Sequence, residues 1–401
     1  MVTTVTSFTD LRNRALPGEG YDGVVRVSAG GYYGTGVLLY DGQAVLTAAH
    51  LFDHGSMTAS VRFETASGIQ TIASSSVVVH PLYNHNGSSD LALVWLGQSA
   101  PQAAERYTLY RDSDDIGQVA TLVGYGLPGF GATGTLAGYN AGDLRLKAEN
   151  RMDADFGTLQ AGLGNSLSWT APAESQLLAD FDDGVITHDA LGQLLNLYDA
   201  GLGVDEGLIA SGDSGGPAFI QGQLAGIATY TASLYQGSVH PDIDANLNSS
   251  FGEIAAWQRV SYYQQWIDQS LRTHYPDAPT KPEDVKKAVP EGNSGTTLAY
   301  FLLQFTGVRS DPNEILSVDF ATRDGTAKAG QDYVAVHGTL KLYPGENQAV
   351  IPVEIVGDTV AEPDEAFYLD LTHPVGGSFG DGVVQLTAVR TIVNDDGGVV
   401  A

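Results

Sequence analysis

The sequence predicts an all-β fold class, with two β domains in series, and three observations predict it. Short runs rich in β-branched and aromatic residues, bounded by Gly and Asp-Gly turns, fill the chain from Tyr21 onward and recur after Asp284. Between the two regions lies YPDAPTKPED, Tyr275 to Asp284, a proline-rich polar stretch of the kind that makes a semi-rigid connection. Helical spacing stands out in one place, where Val260, Tyr263, Ile267 and Leu271 recur to give an amphipathic helix that closes the first domain.

Composition narrows the function classes. At 401 residues the chain has room for two or three domains, and 43% hydrophobic residues supply cores for them. There is no cysteine, so disulfides and thiolate metal sites are excluded. A formal charge of −28, with 19 Lys plus Arg, repels nucleic acid and anionic membrane surfaces; over the whole surface it reads first as solubility, with divalent cations as the natural partners of such a surface. No stretch approaches the roughly 18 apolar residues of a membrane-spanning helix. The first residues, MVTTVTSFTDLRNRALPG, lack the basic start and apolar run of a secretory signal, so export, if it occurs, is expected to use a signal outside this sequence.

Taken in order, residues 1–20 read as an N-terminal extension. GVVRVSAG, YYGTGVLLYDG and QAVLTAAH then read as three strands, the last ending at His50, where the small residues before it let the ring reach a cleft. A lone histidine is more often structural, but downstream residues change that reading. Asp90 stands immediately before the apolar run LALVWL, where an unpaired carboxylate would be costly, so it needs a partner such as an imidazole N–H. His54, His80 and His85 compete for the role of base from polar, loop-like contexts. After the strand ending Val123-Gly124-Tyr125-Gly126 come a glycine-rich loop, Leu127 to Gly142, and two weaker strand readings, Asp143 to Phe156 and Trp169 to Phe181. Asp180-Phe181-Asp182-Asp183-Gly184 reads as a solvated hairpin tip, with a calcium site as the alternative. Then comes Gly212-Asp213-Ser214-Gly215-Gly216-Pro217, in which a serine on a tight glycine turn can face a substrate while nearby N–H groups converge as an oxyanion hole. Such a serine requires a histidine base and an orienting carboxylate.

Beyond the linker, the runs LAYFLLQF, EILSVDFAT, GTLKLY, AVIPVEIV, AFYLDLTH and VVQLTAVRTIV argue for a β-sandwich of about a hundred residues. Acidic residues gather in its turns and strand ends. They are either solvated loop acids or, converging at one end, ligands of a hard cation.

With these pieces assembled, the chain from Tyr21 to His274 resembles the chymotrypsin/trypsin-like serine proteases, through TAAH, SSDLALVWL, VGYG, GDSGGP, LAGIATY and the closing helix, in the family's order of His, Asp and Ser. The resemblance implies two six-stranded β-barrels with the site between them. It makes Ser214 the nucleophile, His50 the general base and acid, and Asp90 the residue that holds the imidazole tautomer, with the N–H groups of Gly212 and Ser214 binding the oxyanion and no cofactor in catalysis. It also places Leu208 at the base of the specificity pocket and Thr229-Tyr230-Thr231 along its wall. Leu208 is not acidic and Thr231 stands where many relatives carry glycine, so a small or medium apolar residue is expected at the cleavage position. One departure is that no Ile-Val-Gly-Gly N-terminus precedes Tyr21 to pair with Asp213. Asp213 is expected to pair with an internal cation, Arg145, Lys147 or Arg151, or with an amine freed by cleavage after Arg14.

Residues 285–396 resemble the Calx-beta domain through PEGNSGTTLAYFLL, ATRDGTAKAGQDYVAVHGTLKLYPGE, GDTVAEPDEAFYLDL and TIVNDD. That resemblance implies an immunoglobulin-like sandwich and a structural calcium ion held by Glu291, Asp332, Asp358, Glu362, Asp395 and Asp396, with Glu365 as a further candidate. Gly357 and Asn394 replace acids of the tightest calcium-sensing members. The expected organisation is an extension (1–20), a protease domain (21–275), a linker (276–284), a sandwich (285–396) and a tail (397–401). The expected protein is a secreted, bacterial-type serine endopeptidase acting on proteins or peptides, with no nucleic acid partner and no membrane insertion, attached to a surface or matrix through its sandwich. The rival is a protease fold kept as a binding or adhesion scaffold, or a zymogen that must lose its first residues.

Overall fold

The computed structural model describes residues 2–85, 87–136, 138–139, 144–244 and 246–397. They form two compact units, one of residues 1–39 and 43–264 and one of residues 40–42 and 265–401. The Asp143 start of one expected strand and the end of the expected tail lie outside the described residues.

In the first unit a closed barrel is built from six strands, Val24–Ala29, Tyr32–Leu38, Ala44–Thr47, Ala92–Leu96, Gly68–Val79 and Ser60–Thr65, neighbouring in that order. Its first hairpin pairs Val24 with Val37 through Ala29 with Tyr32, and turns on Gly30 and Gly31, both at positive φ, which glycine adopts without steric cost. Alternation then decides the faces: Val25, Val27, Leu38, Val45, Val61 and Phe63 point inward and are buried in one core cluster.

The second half of this unit departs from the expected six-stranded barrel. It is a seven-stranded sheet, ordered Leu146–Arg151, Val119–Gly124, Pro217–Ile220, Gln223–Ala232, Ile254–Arg259, Gln176–Asp180 and Ala154–Asp155, accompanied by a separate four-stranded sheet. Trp257, wholly buried, anchors the core; truncating such a side chain typically costs about 3–5 kcal/mol. The four-stranded sheet also overturns the reading of residues 1–20 as an extension. Val2–Thr4 is a buried strand, antiparallel to Gly207–Ile209 and parallel to Gly129–Phe130, so the start of the chain belongs to the domain.

Two short helices interrupt what the sequence read as strand or loop, Phe156–Leu163 and Ala190–Leu195, each with an aspartate at its N-cap, Asp155 and Asp189. The acidic turn at Asp180 is no solvated tip, because Asp180 and Asp182 are only 2% and 5% exposed. The closing helix runs Val260–His274, and the four apolar residues that predicted it are all buried.

In the second unit the six expected runs all form strands. A five-stranded sheet, ordered Ala288–Pro290, Gln385–Val393, Glu365–Val375, Leu316–Asp324 and His337–Leu342, packs with the antiparallel pair Thr296–Gln304 and Gln348–Val356. Between the layers lie Phe301, Val318, Val353, Ile355, Phe367 and neighbouring apolar side chains.

Candidate active site and acidic end of the sandwich

His50 and Asp90 come together because the strands Ala44–Thr47 and Ala92–Leu96 are antiparallel neighbours, with Thr47 opposite Ala92. His50 follows one strand and Asp90 precedes the other. His50 Nδ1 lies 2.7 Å from Asp90 Oδ2, and the His50 backbone N–H donates to Asp90 Oδ1 at 2.8 Å. Asp90 is almost fully buried, whereas the imidazole keeps an exposed edge. Thr229 Oγ1 donates to Asp90 Oδ2 at 2.6 Å, so this threonine supports the carboxylate rather than simply walling a pocket. Burial disfavours the charged imidazole, but the hydrogen bond and charge of Asp90, with Asp53 adding to them, outweigh it, and the His50 pKa is raised. The competing histidines are engaged elsewhere. His54 stacks on Tyr32, His85 faces Asp53 at 3.0 Å, and His80 packs against Tyr263 with its pKa lowered to about 4 by burial.

The Ser214 turn hangs on the first barrel through Thr35. Thr35 N–H donates to Ser214 O at 2.9 Å, Thr35 Oγ1 donates to Gly212 O at 3.0 Å, and Thr47 Oγ1 donates to Thr35 O at 2.6 Å. Nothing in the sequence distinguished Thr35, whose partners lie far along the chain. Gly212 and Gly215 both take positive φ. A Cβ at Gly215 would stand 2.1 Å from Thr47 Oγ1, 2.3 Å from Thr35 O and 2.7 Å from Ala48 N, which puts the turn directly against the segment that carries His50. Gly215→Ala is therefore expected to cost at least about 2 kcal/mol, lowering the melting temperature by about 5 °C or more in a thermal scan.

Ser214 is half-buried, and among the described residues its Oγ makes no hydrogen bond to His50. The neighbouring turn N–H groups are committed: Asp213 to Ala210 O, Gly215 to Ala228 O and Gly216 to Asp213 O. Those of Gly212 and Ser214 have no acceptor among the described residues, the condition for two donors held ready for an oxyanion.

The expected partners of Asp213 need correcting. Arg145 forms a buried ion pair with Asp22 at 2.7 Å, Arg151 pairs with Asp199, and Lys147 sits over the Tyr21 ring. The Asp213 carboxylate accepts from Gly126 and Ala210 N–H, each at 2.9 Å. Burial pushes its pKa up to about 6, against the pull of Ala210 N–H.

The cleft beside His50, about 380 Å³, is lined by Tyr83, His85, Trp169, Thr229, Tyr230 and Thr231 among others. Leu208 is not part of it. Expected at a pocket base, it lies wholly buried in the apolar core of the second half, on the strand paired with Thr3. The sequence missed Trp169, whose Nε1 donates to Tyr230 OH at 2.9 Å, while Tyr230 OH donates to Gln176 Oε1 at 2.8 Å.

In the second unit, carboxylates from four separated segments meet at one end of the sandwich. Oxygens of Asp332, Glu362 and Glu365 lie within 4.8 Å of one another. Burial and the charges of Asp358, Glu362, Asp396 and Asp332 push the Glu291 pKa up to about 7. Asp396 Oδ1 accepts from Asn293, and its buried Oδ2 has no partner among the described residues. Asp395 is turned to the Gly292 N–H at 3.0 Å. The donor set is all hard oxygen, which fits calcium.

Known proteins provide an independent comparison. The Trypsin family model matches residues 13–151, and the Calx-beta domain model matches residues 303–396. The human sodium/calcium exchanger 2 is 30% identical over 201 residues, covering 43% of this chain and 20% of the exchanger. The Drosophila melanogaster sodium/calcium exchanger Calx is 37% identical over 91 residues, 22% of this chain and 9% of that protein. The chain thus spans a fifth or less of these relatives' lengths. Among solved structures, mouse neuropsin, described as a serine protease expressed in the limbic system of the brain, superposes with a TM-score of 0.46 at 19% identity, over 65% of this chain and 98% of neuropsin. The chain thus joins a segment that matches the Trypsin family, residues 13–151, to one that matches the Calx-beta domain, residues 303–396.

Proposed function

We propose that the protein is a secreted serine endopeptidase. The observation that carries this reading is the His50–Asp90 pair at 2.7 Å beside a serine turn whose Gly212 and Ser214 N–H groups are uncommitted. Ser214 Oγ attacks the peptide carbonyl while its proton passes to His50 Nε2; Asp90 keeps the proton on Nδ1 and stabilises the imidazolium. The oxyanion is received by the two N–H groups, and losing one such donor typically costs about 3–4 kcal/mol. His50 then protonates the leaving amine, and water repeats the sequence to release the acid. Thr231 shortens the pocket, so a small or medium apolar residue is accommodated at the cleavage position. The test is digestion of a mixed peptide library. Ser214-dependent cuts after Ala, Val or Leu support the proposal, and cuts after Arg or Lys would refute the pocket assignment.

In this reading the Calx-beta unit holds structural calcium through Glu291, Asp332, Asp358, Glu362, Glu365 and Asp396, and attaches the enzyme to a surface or matrix. The ion's contribution is neutralisation of carboxylates that otherwise repel. With calcium a hundred- to a thousand-fold above Kd, its removal by EDTA is expected to cost about 3–4 kcal/mol in the sandwich, read as a lower melting temperature. Replacing both Glu291→Gln and Asp396→Asn is expected to abolish that part of the response.

A further inference from the structure

The trypsin-like unit contains its own knot of buried acids, away from the triad in sequence and role. Asp180 ends the strand Gln176–Asp180, Asp182 follows it, Asp189 caps the helix Ala190–Leu195, and Glu206 precedes the strand Gly207–Ile209. All four are nearly inaccessible, with Asp180 and Asp189 each 2% exposed, Asp182 5% and Glu206 1%. One oxygen from each of Asp180, Asp182 and Asp189 lies within 4.8 Å of the other two.

Backbone donors hold most of these groups in place. Asp180 Oδ2 accepts from Leu191 N–H at 2.7 Å, the Asp189 oxygens accept from Gly192 and Asp199 N–H, and Glu206 accepts from Asp182 and Leu202 N–H. The Asp182 carboxylate is different. It has no hydrogen-bond donor among the described residues, although it is enclosed and directed at the oxygens of Asp180 and Asp189. Nor does a side-chain cation compensate it. Arg151, at the end of the strand Leu146–Arg151, is paired with Asp199, and no Lys or Arg forms an ion pair with Asp180, Asp182, Asp189 or Glu206 among the described residues.

Such a cluster can be neutralised by protons or by a metal. A protonated Asp182 would have to donate its O–H to an acceptor, and among the described residues its carboxyl makes no hydrogen bond. A cation accounts for all of the oxygens at once. We propose that Asp180, Asp182 and Asp189 form a calcium site in the trypsin-like unit, with Glu206 supporting the loop that closes over it. The donors are hard oxygens without imidazole or thiolate, from a strand end, the turn after it and a helix N-cap, a set compatible with calcium's loose geometry. Because Glu206 leads into Gly207–Ile209, and that strand into the Ser214 turn, an ion here would brace the segment that presents the nucleophile.

The test uses the full chain and calcium itself, with binding measured by equilibrium dialysis and stability by thermal melting. Asp182→Asn is expected to weaken one class of calcium site at least about tenfold, as loss of a charged ligand does. In EDTA the same variant should melt at or above the wild-type temperature, because a repelling charge has been removed. The Glu291→Gln, Asp396→Asn double variant, altered only in the sandwich, should retain the class that Asp182→Asn loses. Calcium binding by Asp182→Asn indistinguishable from wild type, or complete loss of binding in the double variant, would overturn the proposal. So would a decrease in Asp182→Asn stability that is equal with and without calcium, since that is the signature of a structural carboxyl group alone.

Discussion

Ser214→Ala is expected to reduce kcat for peptide hydrolysis by about 10⁶-fold, while leaving the melting temperature within a degree or two of wild type. The magnitude follows from the nucleophile, base and carboxylate acting as a unit, so that losing the nucleophile costs about as much as losing all three. The stability expectation follows from the contacts of this residue. The turn is held through backbone groups, Thr35 N–H to Ser214 O, Gly215 N–H to Ala228 O and Gly216 N–H to Asp213 O, and none of them involves the hydroxyl. Residual hydrolysis of about 10³–10⁴ over water should remain, because the Gly212 and Ser214 N–H groups survive the change. Single-turnover kinetics and fluorophosphonate labelling give the readout. Equal activity in wild type and variant would mean that the fold serves as a scaffold and the hydrolysis belongs to a contaminant.

What the sequence could disclose divides along the range of the contacts. TAAH, SSDLALVWL and GDSGGP each carry their meaning locally, in small residues before a histidine, an acid before an apolar strand, and glycines around a serine. The strands that bring His50 and Asp90 together are themselves legible as apolar runs. The six runs of the sandwich were legible for the same reason. Val2–Thr4 was not, because a three-residue strand has no periodicity to read and its partner, Gly207–Ile209, is remote in sequence. The resemblance puts Leu208 at the base of the pocket, but register within a buried sheet decides which way a side chain points, and this one points into the core. The acidic segment at Asp180 misled in a more instructive way. Asp-Asp-Gly is turn chemistry wherever it occurs, and only the folded chain shows that Asp189 and Glu206 close over it.

The Asp90→Asn substitution separates positioning from charge. Asp90 accepts from the His50 backbone, His50 Nδ1 and Thr229 Oγ1, so it fixes both the place and the tautomer of the base. An asparagine of the same shape can keep the backbone contact, but its amide N–H facing Nδ1 favours the tautomer with the proton on Nε2, where Ser214 needs an acceptor. The expected loss in kcat is about 10⁴-fold with little change in KM. The pH profile gives a second, independent readout. In the wild type, hydrolysis requires neutral His50, whose pKa is raised because Asp90 outweighs burial; activity therefore rises with pH, with its acidic limb above that of an ordinary imidazole. Removing the charge leaves burial, which favours the neutral ring, so the limb of the residual activity must move to lower pH. A large fall in rate with the limb unmoved would mean that the variant has lost the geometry of the site and that Asp90 acts through packing alone.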